Sequence, residues 1–493
     1  MKRNDIKDGL GNKMKFKKQK KKRKSKKYFK KRRKQKKLNI SQEHIQQIIL
    51  KADPSLSCLF PETIRLQDAN DVCSFLEKHH HVILQPISQK LDTQVVTVLI
   101  DSNQQYEMQY GNEILRFPDK EYMVSYVKDH IQVASYLAQQ HIPFATIKNN
   151  LFDLRVILQQ RKGSGVWKVT ERYVEVTNEI FTIHQAIYDS NLQEINIDEL
   201  VKNMDAIALQ VVQKLGEAFP YHRRWGFDIK IDQNKNVWIS KTHASPPRVK
   251  GNKQRMYSFL QTDEYVSSLF PETMQLNETQ DLWLLLDKYR HVVLKPISGS
   301  LGTGIIKLLI DSNDQCEMQY GNQTLKDLNK KQLLAHVQKK MKPKPYLVQE
   351  YIQLAKIENC PFDVRVIVQQ KSTEFTYIVT GIYAKVAQEG YFTTNLAKKG
   401  KVLTLQQAID RSHLNKVTTI DELVKNIDHA ALQIAQKLGE ISPHHRIWGL
   451  DVGIDHHGKI WIIEANSNPG MKGFKKLENK SMYKMIQAYK KIK

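Results

Sequence analysis

The stretch VVLKPISGSLGTG, residues 292–304, places a lysine at the end of an apolar, strand-like run and several glycines directly after it. Glycines let a loop bring backbone N–H groups close to phosphate oxygens, and a lysine adds a mobile positive charge. The residues that would do this are Lys295, Gly299, Ser300, Gly302 and Gly304. Taken alone, the stretch fits either a phosphate-binding loop or an ordinary tight hairpin.

Three residues near the C-terminus carry the oxygen atoms that a hard cation prefers. Glu464 and Asn466 are two positions apart in the strand-like stretch IIEANSNPG, so both side chains point to one face. Asp451 lies on the neighbouring strand of a predicted hairpin and could face them. Such ligands suit Mg²⁺ held between a protein and nucleotide phosphates. The motif alone leaves open a surface strand with a polar edge.

Both motifs lie in a segment that the chain contains twice. Five matched segments show the repeat: LFPET at 59–63 and 269–273, HVILQPIS at 81–88 against HVVLKPIS at 291–298, FDLRVILQQ at 152–160 against FDVRVIVQQ at 362–370, IDELVKN at 197–203 and 420–426, and WGFD at 225–228 against WGLD at 448–451. The offset is 210 positions at first and 223 later, so the second copy carries 13 extra residues within 386–400. Two homologous domains are therefore predicted, at 48–250 and 258–478.

Strand patterns alternate with helix patterns in each copy, which predicts an α+β fold with mixed layers. Apolar residues at helical spacing predict a helix over 420–438. Thr419 and Glu422 form a capping box at its start, and Gly439 is the expected C-terminal stop. Downstream, LDVGID and KIWIIEAN are predicted to be strands joined by a turn through Gly458.

The composition of the 493-residue chain, with 41% apolar and 26% charged residues, is typical of a soluble globular protein. No apolar run approaches the roughly 18–20 residues that span a bilayer, so no transmembrane segment is predicted. No apolar h-region follows the N-terminus, which argues against a conventional secretory signal. The four cysteines form no CxxC pair or zinc spacing, which favours reduced thiols in a cytosolic type of protein.

The net charge of +26 is concentrated at the N-terminus. Residues 1–37 contain 21 Lys and Arg against Asp5 and Asp8, and the rest of the chain is much closer to neutral. The run over residues 15–37 is too like-charged to bury a core, so residues 1–47 are predicted to be a disordered basic tail and lead-in. The tail would bind a polyanion such as nucleic acid, an anionic polymer or a membrane surface, or would serve only solubility.

The motifs of the second copy resemble, in order, those of the ATP-grasp superfamily. They are YLVQEYIQLAK (346–356), PFDVRVIVQ (361–369), AKVAQEGYFTTNLAKKG (384–400), WGLDVGID and WIIEANSNPG. The sequences of these motifs resemble those of the RimK-type carboxylate–amine ligases and most of all those of the YheC/YheD group of spore-coat-associated ATP-grasp proteins. The resemblance covers nearly all of residues 265–478 and weakly covers 55–246.

The resemblance implies ATP and Mg²⁺ as cofactors, together with a set of site residues. Lys295 would contact the ATP phosphates, and the loop from Gly299 to Gly304 would close over them. Adenine would bind at Gln349, Glu350, Tyr351 and Ile352, and the ribose near Asp363. The implied catalytic residues are Lys295, Arg365, Lys385 and Asn395, and the implied metal ligands are Asp451, Glu464 and Asn466, with Asn468 lining the same pocket.

One motif departs from the pattern of the related ligases. Where they often read NLHRGG, this chain has NLAKKG from Asn395 to Gly400, so a histidine, an arginine and a glycine are replaced. The resemblance is therefore weaker on the acceptor or γ-phosphate side of the site than on the ATP side, because lysine does not bind an oxyanion in the bidentate way of arginine. The first copy also occupies the place of the separate domain that usually precedes the ATP-grasp unit.

The first copy lacks most of the polar set. Its counterparts of Lys295, Lys385, Glu464, Asn466 and Asn468 are Gln85, Glu175, Lys241, His243 and Ser245, while Asp153, Arg155 and Asp228 are kept. A lysine at the position of a metal ligand would repel Mg²⁺, and a glutamate facing the phosphates would repel them, so each would oppose MgATP binding. The first copy is therefore interpreted as a degenerate ATP-grasp domain, a pseudoenzyme domain that serves as structural partner, substrate platform or regulator.

The leading functional hypothesis is a ligase that forms an amide through an acyl phosphate, in the mother-cell cytoplasm or the spore coat. The alternatives are a nucleotide-binding coat component without turnover, anchored by the basic tail, and a nucleic-acid-associated protein with a vestigial enzyme fold. Residues 479–493 are predicted to be a basic C-terminal helix or tail. The carboxylate, the amine and the oligomeric state are not indicated by the residues.

Overall fold

The computed structural model describes residues 42–87, 95–111, 113–131, 133–160, 165–177, 179–192, 194–244, 246, 248–249, 252–297, 303–341, 345–370, 376–395 and 400–491. Residues 1–41, which include the basic run over 15–37, lie outside the described residues, and so do Gly299, Ser300 and Gly302 of the predicted phosphate loop. Residues 42–47 of the predicted disordered lead-in are instead helical, and Ile45 is buried in the core of the first copy.

The helices of the first copy, here the first unit, are α1 (Gln42–Ala52), α2 (Ala69–His79), α3 (Lys120–His130), α4 (Ile183–Tyr188) and α5 (Ile197–Ala218). The later helices are α6 (Lys253–Leu260), α7 (Glu264–Ser268), α8 (Thr279–Tyr289), α9 (Lys330–Lys340), α10 (Leu405–Asp410), α11 (Ile420–Ile441) and α12 (Ser481–Lys491). Short 3₁₀ turns occur at Pro54–Leu59, Val133–Ser135 and His413–Lys416.

Two antiparallel sheets form the framework of the first unit. Sheet A has the order β1-β6-β2-β3-β4-β5 and contains β1 (Thr63–Arg65), β2 (His81–Pro86), β3 (Val96–Ile100), β4 (Tyr106–Tyr110), β5 (Glu113–Phe117) and β6 (Tyr136–Gln140). Sheet B has the order β11-β10-β9-β12-β13 and contains β9 (Asp153–Gln160), β10 (Trp167–Val176), β11 (Glu179–Phe181), β12 (Arg224–Ile231) and β13 (Val237–His243). A small ribbon pairs β7 (Thr146–Ile147) with β8 (Asn150–Leu151).

The second copy, here the second unit, repeats this plan. Sheet C has the order β14-β19-β15-β16-β17-β18 and contains β14 (Thr273–Leu276), β15 (His291–Pro296), β16 (Ile306–Ile310), β17 (Cys316–Tyr320), β18 (Gln323–Leu328) and β19 (Tyr346–Glu350). Sheet D has the order β23-β22-β21-β24-β25 and contains β21 (Cys360–Gln370), β22 (Tyr377–Val386), β23 (Lys401–Leu403), β24 (Ile447–Ile454) and β25 (Ile460–Asn466), with β20 (Lys356–Ile357) paired to β21.

The strand orders of sheets A and C correspond one to one, and so do those of sheets B and D. The prediction of a fold with mixed helices and sheets is therefore confirmed, and the two units have the same strand orders. The extra residues of the second unit lie where the repeat offset predicts them. Residues 387–400 connect β22 to β23, whereas only residues 177–178 connect β10 to β11.

The predicted helix near residue 420 is present, but its end was predicted wrongly. Thr419 is the N-cap and its hydroxyl accepts a hydrogen bond from the backbone N–H of Glu422. The Glu422 carboxylate accepts a hydrogen bond from Thr418 at 3.2 Å. The helix continues past Gly439 to Ile441. A Cβ on Gly439 would lie 2.8 Å from the Tyr377 hydroxyl, so this glycine is required by tertiary packing rather than as a helix stop.

One of the hydrophobic clusters contains residues of both units. Ile157, Tyr173 and Ile180 of sheet B belong to the same buried cluster as helix α11 and strands of sheet D. Contacts between β10 and α11 add to this interface. Burial of continuous apolar surface holds sheet B against the second unit, so that charged residues of β10 reach the segment between the units.

Candidate functional site

A cavity of about 810 Å³ in the second unit is lined by residues of both sheet C and sheet D. The predicted site residues on its wall are Lys295, Gln349, Glu350, Tyr351, Ile352, Asp363, Arg365, Lys385, Asn395, Asp451, Glu464, Asn466 and Asn468. They come from β15, β19, β21, β22, β24, β25 and the loops that follow these strands. Residues far apart in the chain thus meet around one space.

Lys295 lies near the end of β15, as predicted, with its side chain directed to the neighbouring strand β19. Its ammonium group donates a hydrogen bond to the side-chain oxygen of Gln349, whose amide donates in turn to the hydroxyl of Thr273 at 2.6 Å. The pKa of Lys295 is lowered to about 8, first by burial and second by the nearby charge of Lys253, against the opposing effect of Glu464 and Asp451. The cavity therefore contains a lysine that is costly to keep charged without an anion beside it.

Gly304 is the described end of the predicted phosphate loop. Its φ of +83° is a backbone conformation that favours glycine, and a Cβ there would lie 3.0 Å from Pro296. The glycine at this position is therefore explained by the turn into β16. The phosphate-binding role of the loop remains a prediction.

Arg365, Lys385, Asp363 and Asp451 form a buried network of charges at the centre of sheet D. Arg365 donates to both carboxylate oxygens of Asp451, at 2.7 and 3.0 Å. Lys385 contacts Asp451 at 2.7 Å and Asp363 at 3.0 Å. Asp363 also accepts a hydrogen bond from Thr394. The strand register produces this arrangement, because Arg365 is the direct partner of Asp451, and Asp363 of Lys385.

The network sets the protonation of its two carboxylates in opposite directions. Burial alone would raise the pKa of Asp451, but Arg365 and Lys385 outweigh it and hold that pKa well below its ordinary value. Burial raises the pKa of Asp363 to about 6, a shift that Lys385 partly opposes. Asp451 is thus a permanent carboxylate at neutral pH, as a metal ligand must be.

The three predicted metal ligands lie side by side on β24 and β25. Asp451 and Glu464 are register partners, next to an irregularity in the pairing. The amide of Asn466 donates to Asp451 at 3.4 Å. Among the described residues no group of three or more His, Cys, Asp or Glu is arranged as a metal site. Two carboxylates and one amide oxygen nevertheless fit Mg²⁺, which is usually bound by few protein ligands together with substrate phosphates and water.

The remainder of the cavity wall is largely apolar. It includes Val293, Ile305, Ile352, Leu354 and Ile463. Tyr351 contributes its ring, over which the ammonium of Lys307 lies 4.6 Å from the centroid. A cavity that combines apolar side chains with a small set of charged groups is the usual form of a ligand site.

Lys253 is a charged residue of the cavity that was not predicted from the sequence. It belongs to the first turn of α6, which precedes the predicted start of the second domain at residue 258. Its ammonium lies 3.5 Å from the carboxylate of Glu464. Lys253 stands outside every motif, so only its unusual position between two repeats could have drawn attention to it.

The loop of extra residues and the C-terminal segment also contribute to the cavity. Phe392, Thr393 and Thr394 come from the loop, and Lys472, Gly473 and Lys476 come from the segment after β25. A Cβ on Gly473 would lie 2.1 Å from the ring of Tyr383, so only glycine permits this close approach. The sequence analysis did not identify Tyr383 or these lysines as cavity residues.

At the corresponding place in the first unit, the charged groups are paired differently. Arg155 donates to Asp228 at 2.6 and 2.9 Å, which repeats the pair formed by Arg365 and Asp451. His243 lies 2.7 Å from Asp228, and Glu175 lies 2.7 Å from Arg155. Burial would raise the pKa of Asp228, but hydrogen bonds from His243 and Arg155 hold it below its ordinary value. Lys241, the counterpart of Glu464, is exposed to solvent.

A sequence model of YheC/D-like ATP-grasp proteins matches residues 45–250 and again 241–491. The endospore coat-associated protein YheD of Bacillus subtilis (strain 168) is 29% identical over 252 residues, which are 49% of this chain and 51% of YheD. The endospore coat-associated protein YheC of the same organism is 24% identical over 227 residues, which are 43% of this chain and 58% of YheC.

The matched region spans about half the length of these curated relatives. A similar solved structure is N5-carboxyaminoimidazole ribonucleotide synthetase from Thermotoga maritima. It is 12% identical, with a TM-score of 0.29 over 50% of each chain. No helix in the described part of the chain is long and apolar enough to cross a membrane.

Proposed function

This chain belongs to the YheC/D-like ATP-grasp family, and we propose that it is an ATP- and Mg²⁺-dependent carboxylate–amine ligase. The observation that carries the proposal is the convergence in one cavity of six cationic side chains and three hard oxygen ligands. The cations are Lys253, Lys295, Arg365, Lys385, Lys472 and Lys476, and the ligands are Asp451, Glu464 and Asn466. A triphosphate with its metal ion is the ligand class that needs both sets.

The cationic residues bind and orient the phosphates. Lys295 enters the cavity from sheet C, whereas Arg365 and Lys385 enter it from sheet D, so the triphosphate lies between the two sheets. Their charges stabilise the negative charge that develops as the γ-phosphoryl group is transferred. The pKa of Lys295, lowered to about 8, returns toward its ordinary value when phosphate lies beside it.

Asp451, Glu464 and Asn466 hold Mg²⁺ in this proposal. When bound, the ion neutralises phosphate charge and polarises the group under transfer. Asp451 is kept ionised by Arg365 and Lys385, so it supplies a carboxylate ligand at every physiological pH. The apolar residues and the segment from Gln349 to Ile352 bind the adenine, and Asp363 lies close to the ribose.

The reaction proceeds in two displacements. A substrate carboxylate oxygen attacks the γ-phosphorus, the bond to the β-phosphate oxygen breaks, and ADP leaves. An amine then attacks the carbonyl carbon of the acyl phosphate, inorganic phosphate leaves, and the nitrogen loses a proton as the amide forms. Asn395 lines the cavity beside the residues that bind phosphate and serves the acceptor side.

The first unit, in our proposal, does not bind MgATP. Of the three positions that hold the metal ligands in the second unit, it keeps only the carboxylate of Asp228, because Lys241 and His243 stand in the places of Glu464 and Asn466. Gln85 replaces the lysine of β15 and donates to Gln139 at 2.8 Å. The first unit keeps Arg155, but no residue of the same charge corresponds to Lys295, Lys385 or Glu464, so it lacks most of the phosphate-binding and metal-binding residues of the second unit.

Similarity to two endospore coat-associated proteins supports a spore-coat setting, with synthesis in the mother-cell cytoplasm. The basic residues 15–37 would attach the protein to an anionic surface there.

The proposal is tested by incubating the full chain with MgATP and a panel of amino acids and peptides while ADP and phosphate are measured. Release of ADP and phosphate that depends on both a carboxylate and an amine would support the ligase. Release of AMP would indicate adenylation instead. Tight MgATP binding without turnover under any combination would favour the alternative, a nucleotide-binding coat component.

A further inference from the structure

The described residues between the two units, 248–249 and 252–255, here called the connector, are held by acidic side chains of the first unit. Glu171 on β10 is fully buried, and its carboxylate accepts a hydrogen bond from the backbone N–H of Val249 at 2.9 Å. The guanidinium of Arg248 lies 3.7 Å from the same carboxylate. A buried carboxylate is costly unless it is satisfied, so this contact fixes the start of the connector.

The end of the connector is held by a second carboxylate of the same strand. Glu175 accepts hydrogen bonds from Arg255 at 2.7 and 3.4 Å. Arg255 also donates to the hydroxyl of Tyr173 at 3.4 Å. This salt bridge is mostly buried, with 24% and 20% of the two side chains exposed, which makes it stronger than an exposed surface pair.

Arg255 and Lys253 lie in the same first turn of α6. The side chain of Asn252 caps this turn by accepting from the backbone N–H of Arg255 at 3.2 Å. Residues two apart on a helix differ by about 200° in direction and do not face each other. One turn therefore presents Arg255 to the first unit and Lys253 to Glu464 in the cavity.

The two acidic residues that hold the connector, Glu171 and Glu175, are not present at the equivalent positions of the second unit. In the repeat register, Glu171 and Glu175 correspond to Gly381 and Lys385. Gly381 packs against Phe474, where a Cβ would lie 2.5 Å away, and Lys385 belongs to the charge network of the cavity. The charge reversal at Glu175 thus has a structural consequence in the first unit, because it creates the partner of Arg255.

We propose that Glu175 is a positioning residue for the nucleotide site of the second unit, holding Lys253 in the cavity through Arg255 and α6, with Glu171 fixing the start of the connector. This inference rests on the proposed nucleotide function of that cavity. It gives the degenerate first unit a role in the chain, because that unit completes a site that its own residues do not enter.

The coupling of Glu175 to Lys253 through Arg255 is tested by a double-mutant cycle in the full chain, in which the affinity for MgADP is measured by titration. Glu175→Gln and Arg255→Gln should each weaken affinity about fivefold, and Lys253→Gln about tenfold. Because Glu175 acts through Lys253, adding Glu175→Gln to Lys253→Gln should weaken affinity no further. The proposal would be overturned if Glu175→Gln weakened MgADP affinity equally in the wild-type chain and in Lys253→Gln. It would also be overturned if Glu175→Gln alone left the affinity unchanged.

The matched control is Asp205→Asn. Asp205 forms a bridge of similar exposure with Arg172 on the same strand β10, at 3.0 Å, away from the connector. This variant should lose a comparable amount of thermal stability and leave MgADP affinity unchanged. Weakening equal to that of Glu175→Gln would show that general destabilisation of the first unit causes the effect.

A second measurement does not depend on nucleotide. Limited acetylation with acetic anhydride, followed by peptide mass spectrometry, reports the reactivity of Lys253 in the free protein. Glu175→Gln should raise that reactivity several-fold, and Asp205→Asn should not. If the wild-type chain bound no MgADP, the proposed function would fail while this result still decided whether Glu175 holds Lys253. Unchanged labelling in Glu175→Gln would contradict the positioning role.

Discussion

Arg365 and Asp451 are direct register partners on adjacent strands, and the guanidinium of Arg365 donates to both oxygens of the Asp451 carboxylate at 2.7 and 3.0 Å. The same relationship joins Arg155 and Asp228 in the first unit. The pair therefore belongs to the framework of the duplicated fold. What distinguishes the two units is the set of residues around the pair.

The first prediction concerns stoichiometry. The full chain should bind one MgADP per monomer, because the second unit alone has both the phosphate-binding cations and the metal ligands. Isothermal titration should give one site, which Asp451→Asn weakens strongly and the equivalent change Asp228→Asn does not affect. Two equivalent sites, or loss of binding on Asp228→Asn alone, would contradict the assignment.

The second prediction concerns variants in which a site residue of the second unit is replaced by the residue at the equivalent position of the first unit. Lys295→Gln should weaken MgADP binding roughly 10- to 100-fold, the value of a hydrogen bond to a charged group of about 1.5–3 kcal/mol. Glu464→Lys should cost more, because it removes a ligand and adds a repelling charge. Lys241→Glu, the reverse change at the register-equivalent position, is the control and should leave affinity unaltered. Unchanged affinity in both site variants would refute the location of the site.

The third prediction concerns pH. Burial first and Lys253 second lower the pKa of Lys295 to about 8, so the free protein loses the Lys295 charge above that pH. A protonated ammonium attracts phosphate and a neutral amine does not. MgADP affinity should therefore fall by up to about tenfold per pH unit above pH 8. The decline should be absent in Lys295→Gln, and a wild-type affinity that stays level to about pH 9.5 would argue against contact with phosphate.

The fourth prediction concerns the cavity wall at Gly473. Replacement by alanine would put a Cβ 2.1 Å from the buried ring of Tyr383. Gly473→Ala should lower the free energy of unfolding by about 1–3 kcal/mol and displace Tyr383, an overpacking effect. Gly470→Ala is the control, since a Cβ there meets nothing within 4 Å. Chemical denaturation would measure the free energy of unfolding of both variants. Equal values would contradict the prediction, because the segment around Gly473 would then move to accommodate the added Cβ.

The fifth prediction concerns the basic tail. Deleting residues 1–38 should leave MgADP affinity intact, because screening over a Debye length of about 8 Å limits the effect of the tail on a buried site. The same deletion should abolish binding to heparin, and binding by the full chain should weaken steeply with salt. Loss of turnover with intact nucleotide binding would instead make the tail lysines the leading amine acceptors.

Periodic and repeated features of this protein were predictable from its sequence. The repeat offset locates the extra loop of the second unit, and α11 begins after the predicted N-cap Thr419. A helix cap is local, since it depends on neighbouring residues. Asp363, Arg365 and Lys385 were named by the family resemblance, and the structure places all three on the wall of one cavity.

Tertiary structure alone decided three other features. It extends α11 past Gly439 because that glycine packs against Tyr377, and it places Gly473 against Tyr383. It also brings Lys253 into the cavity while Arg255, two residues later, binds Glu175 of the other unit. Contacts between residues 80 or more positions apart depend on how two sheets pack across a shared core, and no local pattern in the chain encodes that packing.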